Sequence, residues 1–353
     1  MNKSIFLLPF MATCTPLNAQ TQVTTFNPGV AANGVTYALA RTQLCFDAKA
    51  IKTVYTPGEF SRYAERYLHV HNVAQEPDVA YHLQSITLRT QGVVDTTKVY
   101  TVKLKEKTTA PMVELSDEGL LLAVNSPESH TVDRPWVGGE SRSTHHQLNP
   151  KQYFTEEIMA AASTAKMAEL VAAEIYDIRD SRNSIMRGQV DAMPKDGESM
   201  RLVLDRLNQQ EEALMQLFVG YVDTIDVAHT FTVMPEADIQ RQVLFRFSRK
   251  LGFLDTDDLA GEPFYLTLQD QHSVTLPTKK ETEKRHITGL VYNLPSQTQV
   301  TLQSADRTWL SATQPIAQFG TIDQLAPTLF NKGAATTVIL HPSTSAIQKL
   351  LQN

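Results

Sequence analysis

The sequence predicts an α+β fold in which strand-rich regions flank a long antiparallel helical hairpin, with a small β unit at the C-terminus. Two observations support this prediction. Apolar and polar residues alternate before residue 125 and again after residue 223, as they do in strands that bury one face. Between these two regions, apolar residues recur every three or four positions, as they do on one face of a helix.

The N-terminus has the pattern of a secretory signal peptide over residues 1–19. A positively charged start precedes an apolar run at residues 5–12, and the small residue Ala19 stands where cleavage is expected. We therefore expect an exported protein, periplasmic or associated with the outer membrane, whose mature chain begins at Gln20. A lipoprotein acylated on Cys14 is one alternative, and a buried N-terminal strand is another.

Residues 20–125 are predicted to form an N-terminal β-rich region. Its clearest alternation is carried by Leu44, Phe46, Ala48 and Ala50. Two apolar runs, residues 113–115 and 120–124, are separated by a Ser-Asp-Glu-Gly turn and predict a β-hairpin. Residues 126–149 contain proline and glycine without any periodicity, so they are expected to form a loop or linker.

Residues 150–222 are predicted to form the helical hairpin. The first helix is expected over residues 150–187, and a second one after the turn at 194–197. One face of the first helix carries Phe154, Ile158, Ala161, Ala165, Ala168, Ala172, Ile175 and Ile178. The alanines would let the two helices approach closely. The pattern leaves open whether the hairpin is an insertion in one domain or a spacer between two.

Strand patterns return in a second β-rich region, residues 223–278, which could form one domain with residues 20–125. A charged segment at 279–288 is expected to be a linker. Residues 289–353 are then predicted to form the small C-terminal β domain.

Composition restricts the partners. The chain has 32 Lys and Arg against 38 Asp and Glu, a net charge of -6, and the charges are scattered. There is no basic patch of the kind that binds nucleic acid, so we expect no nucleic-acid partner. No apolar run after residue 20 approaches the ~18 residues that a membrane span requires. If cleavage follows Ala19, only Cys45 remains, and one thiol cannot form an internal disulfide.

The local motif closest to catalytic chemistry is Ser163-Thr164-Ala165-Lys166, which has the Ser-x-x-Lys spacing of penicillin-binding proteins and serine β-lactamases. We expect this motif to lie about two turns inside the first helix, facing away from its apolar side. The accompanying Lys-Thr-Gly element is absent from the sequence. The motif is therefore interpreted as helix surface, and no catalytic residue is assigned.

Histidines and acidic residues suggest metal sites that their surroundings do not support. His69 and His71 would share one face of a strand, with His82 nearby, but no carboxylate or thiolate stands at a ligand spacing. His145 and His146 lie in the polar loop. The acidic run at residues 255–258 lacks the glycine and distal glutamate of a calcium loop. No metal site and no cofactor are predicted.

Eight motifs are distributed along the chain: Gly34-Val35-Thr36-Tyr37-Ala38-Leu39, Tyr55-x-Pro57-Gly58-Glu59-Phe60, Tyr63-Ala64-x-Arg66-Tyr67-Leu68, Ser163-Thr164-Ala165-Lys166-Met167-Ala168, Ile178-Arg179-Asp180-Ser181-Arg182-Asn183, Pro194-Lys195-Asp196-Gly197, Leu244-Phe245-Arg246-Phe247-Ser248 and Pro315-Ile316-Ala317-Gln318-Phe319-Gly320. In these motifs the chain resembles a family of exported Bacteroidetes proteins known only as a domain of unknown function. The resemblance covers nearly all of the expected mature chain. It implies export and a shared architecture, and it implies no activity.

These observations favour a non-enzymatic envelope protein that binds or scaffolds another envelope protein, through its helices or an open sheet edge. A hydrolase or carbohydrate-active protein is one alternative, and two carboxylates in a pocket, one with a raised pKa, would favour it. A surface or fimbria-like structural subunit is a third, which an exposed strand would favour.

Overall fold

The computed structural model describes residues 22–25, 34–103, 113–126, 140–142, 148–189, 196–278, 286–330 and 336–352. The predicted signal peptide, Cys14, His145 and His146, and residues 279–285 lie outside these ranges.

The described residues form fourteen strands and four α-helices. The strands are β1 (Gln22–Thr25), β2 (Val35–Thr56), β3 (Asp78–Lys103), β4 (Val113–Leu115), β5 (Leu121–Val124), β6 (Glu140–Arg142), β7 (Tyr221–Val233), β8 (Ile239–Ser248), β9 (Gly252–Leu254), β10 (Glu262–Asp270), β11 (Leu290–Gln303), β12 (Thr308–Leu325), β13 (Thr336–Leu340) and β14 (Ile347–Gln352). The helices are α1 (Ala64–Leu68), α2 (Glu156–Met159), α3 (Thr164–Met186) and α4 (Gly197–Val219), with 3₁₀ turns at Ser61–Tyr63, Pro150–Tyr153 and Pro327–Phe330.

The predicted fold class, an α+β fold around a long antiparallel helical hairpin, is wrong. Strands hold 49% of the described residues and helices 24%, and the strands form three antiparallel sheets. Sheet A has the order β1-β3-β2-β7-β6, sheet C has β12-β11-β10-β8-β9, and sheet B has β14-β13-β5-β4. The helical periodicity of residues 150–222 does not determine the architecture, which the three sheets determine.

The segment that was predicted as one helix over residues 150–187 is divided by two caps. The Thr155 hydroxyl accepts a hydrogen bond from the backbone N–H of Ile158 at 3.3 Å and starts α2. The Ser163 hydroxyl accepts one from the N–H of Lys166 at 3.3 Å and starts α3. A side-chain oxygen that takes a backbone amide begins a new helix, because the residue that supplies it is not helical. The apolar spacing continues across these caps and so did not reveal them.

The long hairpin of β2 and β3 organises the sheets. It pairs from Tyr55 with Asp78 at one end to Val35 with Val102 at the other. Strand β7 adds to the other side of β2. Strand pairing also crosses the boundaries of the predicted sequence regions, because β10 pairs with β11 and β5 pairs with β13. Predicted regions that are separate along the chain therefore share sheets.

Three apolar clusters make up the core. The first lies among the helices and includes Phe60, Ile158, Ala168, Ile175, Leu214 and Phe218. The second joins sheet B to one end of the long hairpin and includes Tyr37, Leu39, Tyr100, Val124, Val291, Val338 and Leu340. The third fills the space between sheets A and C and includes Leu44, Phe46, Ala48, Phe245, Phe264, Val300 and Ile316. The alternation predicted from Leu44 to Ala48 is confirmed by the third cluster.

A buried polar junction joins the sheets at the turn between β13 and β14. The Thr42 hydroxyl donates to the carbonyl of Ser343 at 3.0 Å and accepts from the N–H of Ala317 at 3.1 Å. The Ser345 hydroxyl accepts from the N–H of Ala40 at 2.8 Å, and the Asn293 amide donates to the carbonyl of Ala40 at 2.9 Å. Because these groups are buried, the hydrogen bonds fix the turn against β2.

Candidate functional site

Sheet B carries a row of apolar side chains that runs from one edge of the sheet to the other. Val113 pairs with Val124, Val124 pairs with Val338, and Val338 pairs with Leu350. Residues directly opposite each other on neighbouring strands point to the same face. The row therefore lies on the face where Val124 and Val338 join the second core cluster.

Burial stops at the last strand of this row. Val124 and Val338 are 3% and 0% exposed, whereas Leu350 on β14 is 44% exposed. Leu351, which points to the opposite face, is 42% exposed. Within the part of the chain that the structure describes, no strand pairs with the outer edge of β14. The sheet thus ends in a six-residue strand whose two leucines are exposed to solvent over nearly half of their surface.

The position of β14 is fixed on its inner side. The backbone N–H of His341 donates to the carbonyl of Ala346 at 2.8 Å, which closes the turn before β14. Ser345, whose side chain belongs to the buried polar junction, has a left-handed φ of 54° within that turn. From Ile347 to Gln352, β14 then follows β13. The exposed edge is therefore held in an extended form.

An exposed, apolar edge strand is a template for another strand. Its outer N–H and C=O groups can form a ladder with an incoming segment, while side-chain pairing supplies selectivity. The one charge on β14 is Lys349, which lies in a second row with Ile339, Ala123 and Glu114. A lysine on an edge strand opposes indiscriminate pairing, and it favours a segment with a carboxylate opposite.

The Ser-x-x-Lys motif is placed differently from the prediction. Ser163 is the N-cap of α3, so it does not lie inside a longer helix. Its hydroxyl is occupied by the N–H of Lys166, and the Lys166 ammonium bonds to the carboxylate of Glu169 at 3.1 Å. Ser163 and Lys166 are both exposed. Ser163 therefore caps the start of α3, and Lys166 lies on its exposed surface. No contact between the Lys166 ammonium and the Ser163 hydroxyl is observed among the described residues.

The three histidines considered as ligands are dispersed. His69 ends α1 in a left-handed conformation with φ of 55°, and the His71 ring bonds to Glu65 at 3.1 Å. His82 lies on β3 and is exposed. Among the described residues, no group of three or more His, Cys, Asp or Glu side chains has the arrangement of a metal site.

The acidic run at residues 255–258 forms an exposed turn. The N–H of Asp258 donates to the carbonyl of Asp255 at 3.2 Å, and the carboxylate of Asp258 accepts from the N–H of Ala260 at 2.9 Å. The carboxylate therefore serves the local backbone of the turn. Residues 252–254 before this turn form β9, and a further turn follows it.

Two partly buried carboxyl groups, those of Glu211 and Asp270, have lowered pKa values. Burial raises the pKa of Glu211, but the hydrogen bonds and charges of Arg179 and Arg182 outweigh it and leave the pKa below its ordinary value. Burial likewise raises the pKa of Asp270, and hydrogen bonds from Ser296 and from the backbone of His272 reverse that effect. Both groups stay ionised at neutral pH, unlike a carboxyl group with a raised pKa, which would donate a proton in a hydrolase.

Comparison with known proteins gives one match. A family model described as a domain of unknown function, DUF4831, matches residues 33–348. The chain belongs to this family. No curated protein and no solved structure matches it. The predicted membership of a family of unknown function is thus confirmed, whereas a Bacteroidetes origin and export stay predictions for this DUF4831 member. No helix in the described ranges is both long and apolar enough to cross a bilayer.

Sequence reasoning missed β14. Its apolar residues are Ile347, Leu350 and Leu351, and this spacing does not alternate. The cause is a shift of register: Leu340 pairs with Ile347, whereas the preceding Ile339 pairs with Lys349. One extra residue in a strand moves the following side chains to the other face. A usable signal was the short apolar segment with a single lysine directly after the turn residues 341–346.

Proposed function

We propose that this protein is a non-enzymatic component of the cell envelope that binds another protein by accepting an extended segment along β14. The observation that supports the proposal most strongly is the apolar row of sheet B, which ends at Leu350 with 44% of that residue exposed. An added strand with an apolar residue opposite Leu350 would complete the row. A carboxylate opposite Lys349 would pair with the charge of β14.

The affinity expected from such a site is modest. A six-residue strand buries much less than the ~1,200 to 2,000 Å² of a standard interface. Backbone hydrogen bonds would provide the part of the binding energy that does not depend on sequence, and Leu350 and Lys349 would select the sequence of the bound segment. The proposal therefore describes a regulated or multivalent contact more naturally than a permanent complex.

Site-specific photo-crosslinking in the host envelope tests the proposal. A photoreactive residue replaces Leu351 of β14 in one variant and Leu276 in a control variant, since Leu276 is an exposed leucine in a loop, 57% exposed. We expect an adduct with a second protein from position 351 and not from position 276. Mass spectrometry of the adduct should place the link in an extended segment with an apolar residue and a carboxylate.

Two further substitutions check the chemistry of that adduct. Leu350→Glu should abolish it, because a carboxylate would enter the apolar row, and Lys349→Glu should weaken it. Leu276→Glu should leave it unchanged. Because these side chains are exposed, each variant should melt within a few degrees of the original protein. Equal adducts from positions 351 and 276, or an adduct that survives Leu350→Glu, would contradict the proposal.

A second candidate function is favoured by the other edge of the same sheet. Strand β4 carries Val113 in the row of Leu350 and Glu114 in the row of Lys349, and it is antiparallel to β14 through the sheet. Strand β4 of another copy therefore has the pattern that β14 would select. Repetition of this contact would give an open-ended assembly of the kind a structural subunit forms. An adduct of twice the chain mass, linked to β4, would support this candidate and contradict the first.

The envelope location is a separate part of the proposal. It is supported by the signal-peptide pattern of residues 1–19. The intact mass of the protein isolated from its host should correspond to a chain that begins at Gln20. A mass that includes acyl groups on Cys14 would establish a lipoprotein, and an unprocessed chain in the cytoplasm would contradict an envelope role.

A further inference from the structure

A cleft of about 410 Å³ lies at the C-terminal end of α4, and none of its lining residues belongs to sheet B. Its walls come from three parts of the chain: a turn before the 3₁₀ segment at Ser61–Tyr63, the segment that enters the 3₁₀ turn Pro150–Tyr153, and the junction of α4 with β7. The lining residues are Pro57, Gly58, Glu59, Leu148, Asn149, Pro150, Gln216, Leu217 and Tyr221. The volume falls in the range of small-molecule sites.

The walls of the cleft are held in place by close packing. A Cβ atom on Gly58 would lie 2.2 Å from the carbonyl oxygen of Leu217, so the turn sits directly on α4. The N–H of Phe60 donates to that same carbonyl at 2.6 Å. On the opposite side, the Asn149 side chain accepts from the N–H of Lys151 at 3.1 Å and fixes the 3₁₀ turn. The cleft is thus formed before any ligand arrives.

Three side chains that line the cleft keep hydrogen-bonding capacity. In the described structure, the Glu59 carboxylate, the Gln216 amide and the Tyr221 hydroxyl form no side-chain hydrogen bond or ion pair. They come from three different elements. Glu59 is exposed, and Gln216 and Tyr221 are half-buried, so their polar groups are available to a ligand in the cleft.

The electrostatics of the cleft are one-sided. Glu59 supplies a negative charge, and the C-terminal end of α4 supplies the negative end of a helix dipole. No lysine or arginine is among the lining residues that the structure describes. The Tyr221 ring adds an aromatic surface, which attracts cations. Leu148, Pro57 and Pro150 add apolar contacts of the kind that pack against an aliphatic stem.

We propose that this cleft binds an organic cation, namely a guanidinium or ammonium group carried on a short aliphatic stem such as an arginine side chain. The Glu59 carboxylate pairs with the cation, the side-chain amide oxygen of Gln216 accepts a further N–H from it, and the Tyr221 ring covers the stem. This inference does not depend on strand addition at β14, because the two sites share no residue.

Isothermal titration calorimetry with a matched pair of small molecules tests the proposal. Nα-acetyl-arginine amide carries the guanidinium cation, and Nα-acetyl-citrulline amide has nearly the same shape without the charge. We expect saturable binding of the arginine compound at ~1 mM or tighter, and binding of the citrulline compound weaker by at least about tenfold. Raising the ionic strength should weaken the arginine compound more than the citrulline compound.

Three variants locate the binding. Glu59→Gln should weaken the arginine compound by at least about tenfold, since it removes the charge and keeps the shape. Glu76→Gln, at an exposed glutamate in the loop before β3, should leave it unchanged. Tyr221→Phe keeps the ring and should have a smaller effect than Glu59→Gln. All three should melt as the original protein does, which separates lost binding from lost folding.

Several results would overturn the proposal. These are no saturable binding of the arginine compound, equal affinity for both compounds, or binding that Glu59→Gln leaves intact. A neutral sugar that binds this cleft equally well in the Glu59→Gln variant would also overturn it. Since none of these measurements involves β14, failure here is distinguishable from failure of the proposed protein contact.

Discussion

Strands β13 and β14 are neighbours in the same sheet, joined by one turn, and they lie in opposite environments. Four of the five residues of β13 are buried, whereas five of the six residues of β14 are exposed. The apolar row nevertheless continues from Val338 to Leu350. The comparison shows that apolar pattern and burial are separate properties. Our proposal of strand addition rests on this continuation of the pattern beyond the buried part of the protein.

The largest expected effect separates two leucines of the same size. Leu340 on β13 is 1% exposed and belongs to the second core cluster, whereas Leu350 on β14 is 44% exposed. Leu340→Ala should lower the free energy of unfolding by about 2 to 5 kcal/mol, because it leaves a cavity in a packed core. Leu350→Ala should lower it by less than about 1 kcal/mol. Equilibrium urea unfolding of both variants measures the contrast, and equal losses would show that β14 is part of the core of the isolated protein.

The same separation of pattern from burial occurs within α3. Ala168 is 0% exposed and packs in the helical cluster, whereas Ala165 on the same periodic pattern is only half-buried. Ala168→Leu should destabilise the protein by about 1 to 3 kcal/mol, because extra methylenes must enter a filled space. Ala165→Leu should cost clearly less. Thermal unfolding compares them, with Lys166→Ala as a control expected to change stability by less than about 0.5 kcal/mol.

The buried polar junction should define where β14 begins. Thr42→Val keeps the shape of the side chain but leaves the carbonyl of Ser343 and the N–H of Ala317 without their partner. We expect a loss of about 1 to 3 kcal/mol, the usual cost of an unsatisfied buried polar group. Thr53→Val on the same strand, where the hydroxyl is half-exposed, should cost less than about 1 kcal/mol. A neutral Thr42→Val would mean that the turn is held by other contacts.

The smallest effect concerns another boundary of burial, where α3 and α4 leave the helical cluster. Glu211 bonds there to Arg179 at 2.6 Å and to Arg182 at 2.5 Å. The pKa of Glu211 is lowered in the folded protein. The ionised Glu211 therefore stabilises the fold at pH values above its ordinary pKa of 4.5, and this stabilisation is lost as the pH falls through the folded pKa. Glu211→Gln should therefore cost about 1 kcal/mol at pH 7 and flatten the decline in stability below pH 4.5. Melting temperatures measured against pH test this prediction. If the variant and the original protein lose melting temperature equally below pH 4.5, the prediction is contradicted.

Local patterns in the sequence predicted local structure well. The alternation at Leu44, Phe46 and Ala48 identified a buried strand face, and the turn between residues 115 and 120 identified the hairpin of β4 and β5. The share of strands and the sheet order were not accessible in this way, because the second partner of β5 is β13, more than two hundred residues later in the chain. The caps Thr155 and Ser163 were also overlooked, and one helix was predicted where the chain forms several pieces.

The candidate sites could not be predicted for related reasons. Alternation along β14 is interrupted by a shift of register near Ile347, so the strand does not show the usual period. The cleft gathers Glu59, Gln216 and Tyr221 from parts of the chain that no local motif connects. Conversely, the motif that looked most catalytic, Ser163 with Lys166, is occupied by a helix cap and an ion pair with Glu169. A site whose residues are distant along the chain can be recognised only in the folded structure.

Amide hydrogen exchange of β13 and β14, measured by mass spectrometry, tests the central claim most directly. In the isolated monomer, the amides of β13 should be protected, and the outward-facing amides of β14 should exchange fast, since solvent reaches that edge. When the partner captured by crosslinking at position 351 is added, protection of β14 should rise towards that of β13, while β13 changes little. If β14 is already as protected as β13 in the monomer, or remains unprotected when the partner is bound, then β14 is not the edge that accepts a strand.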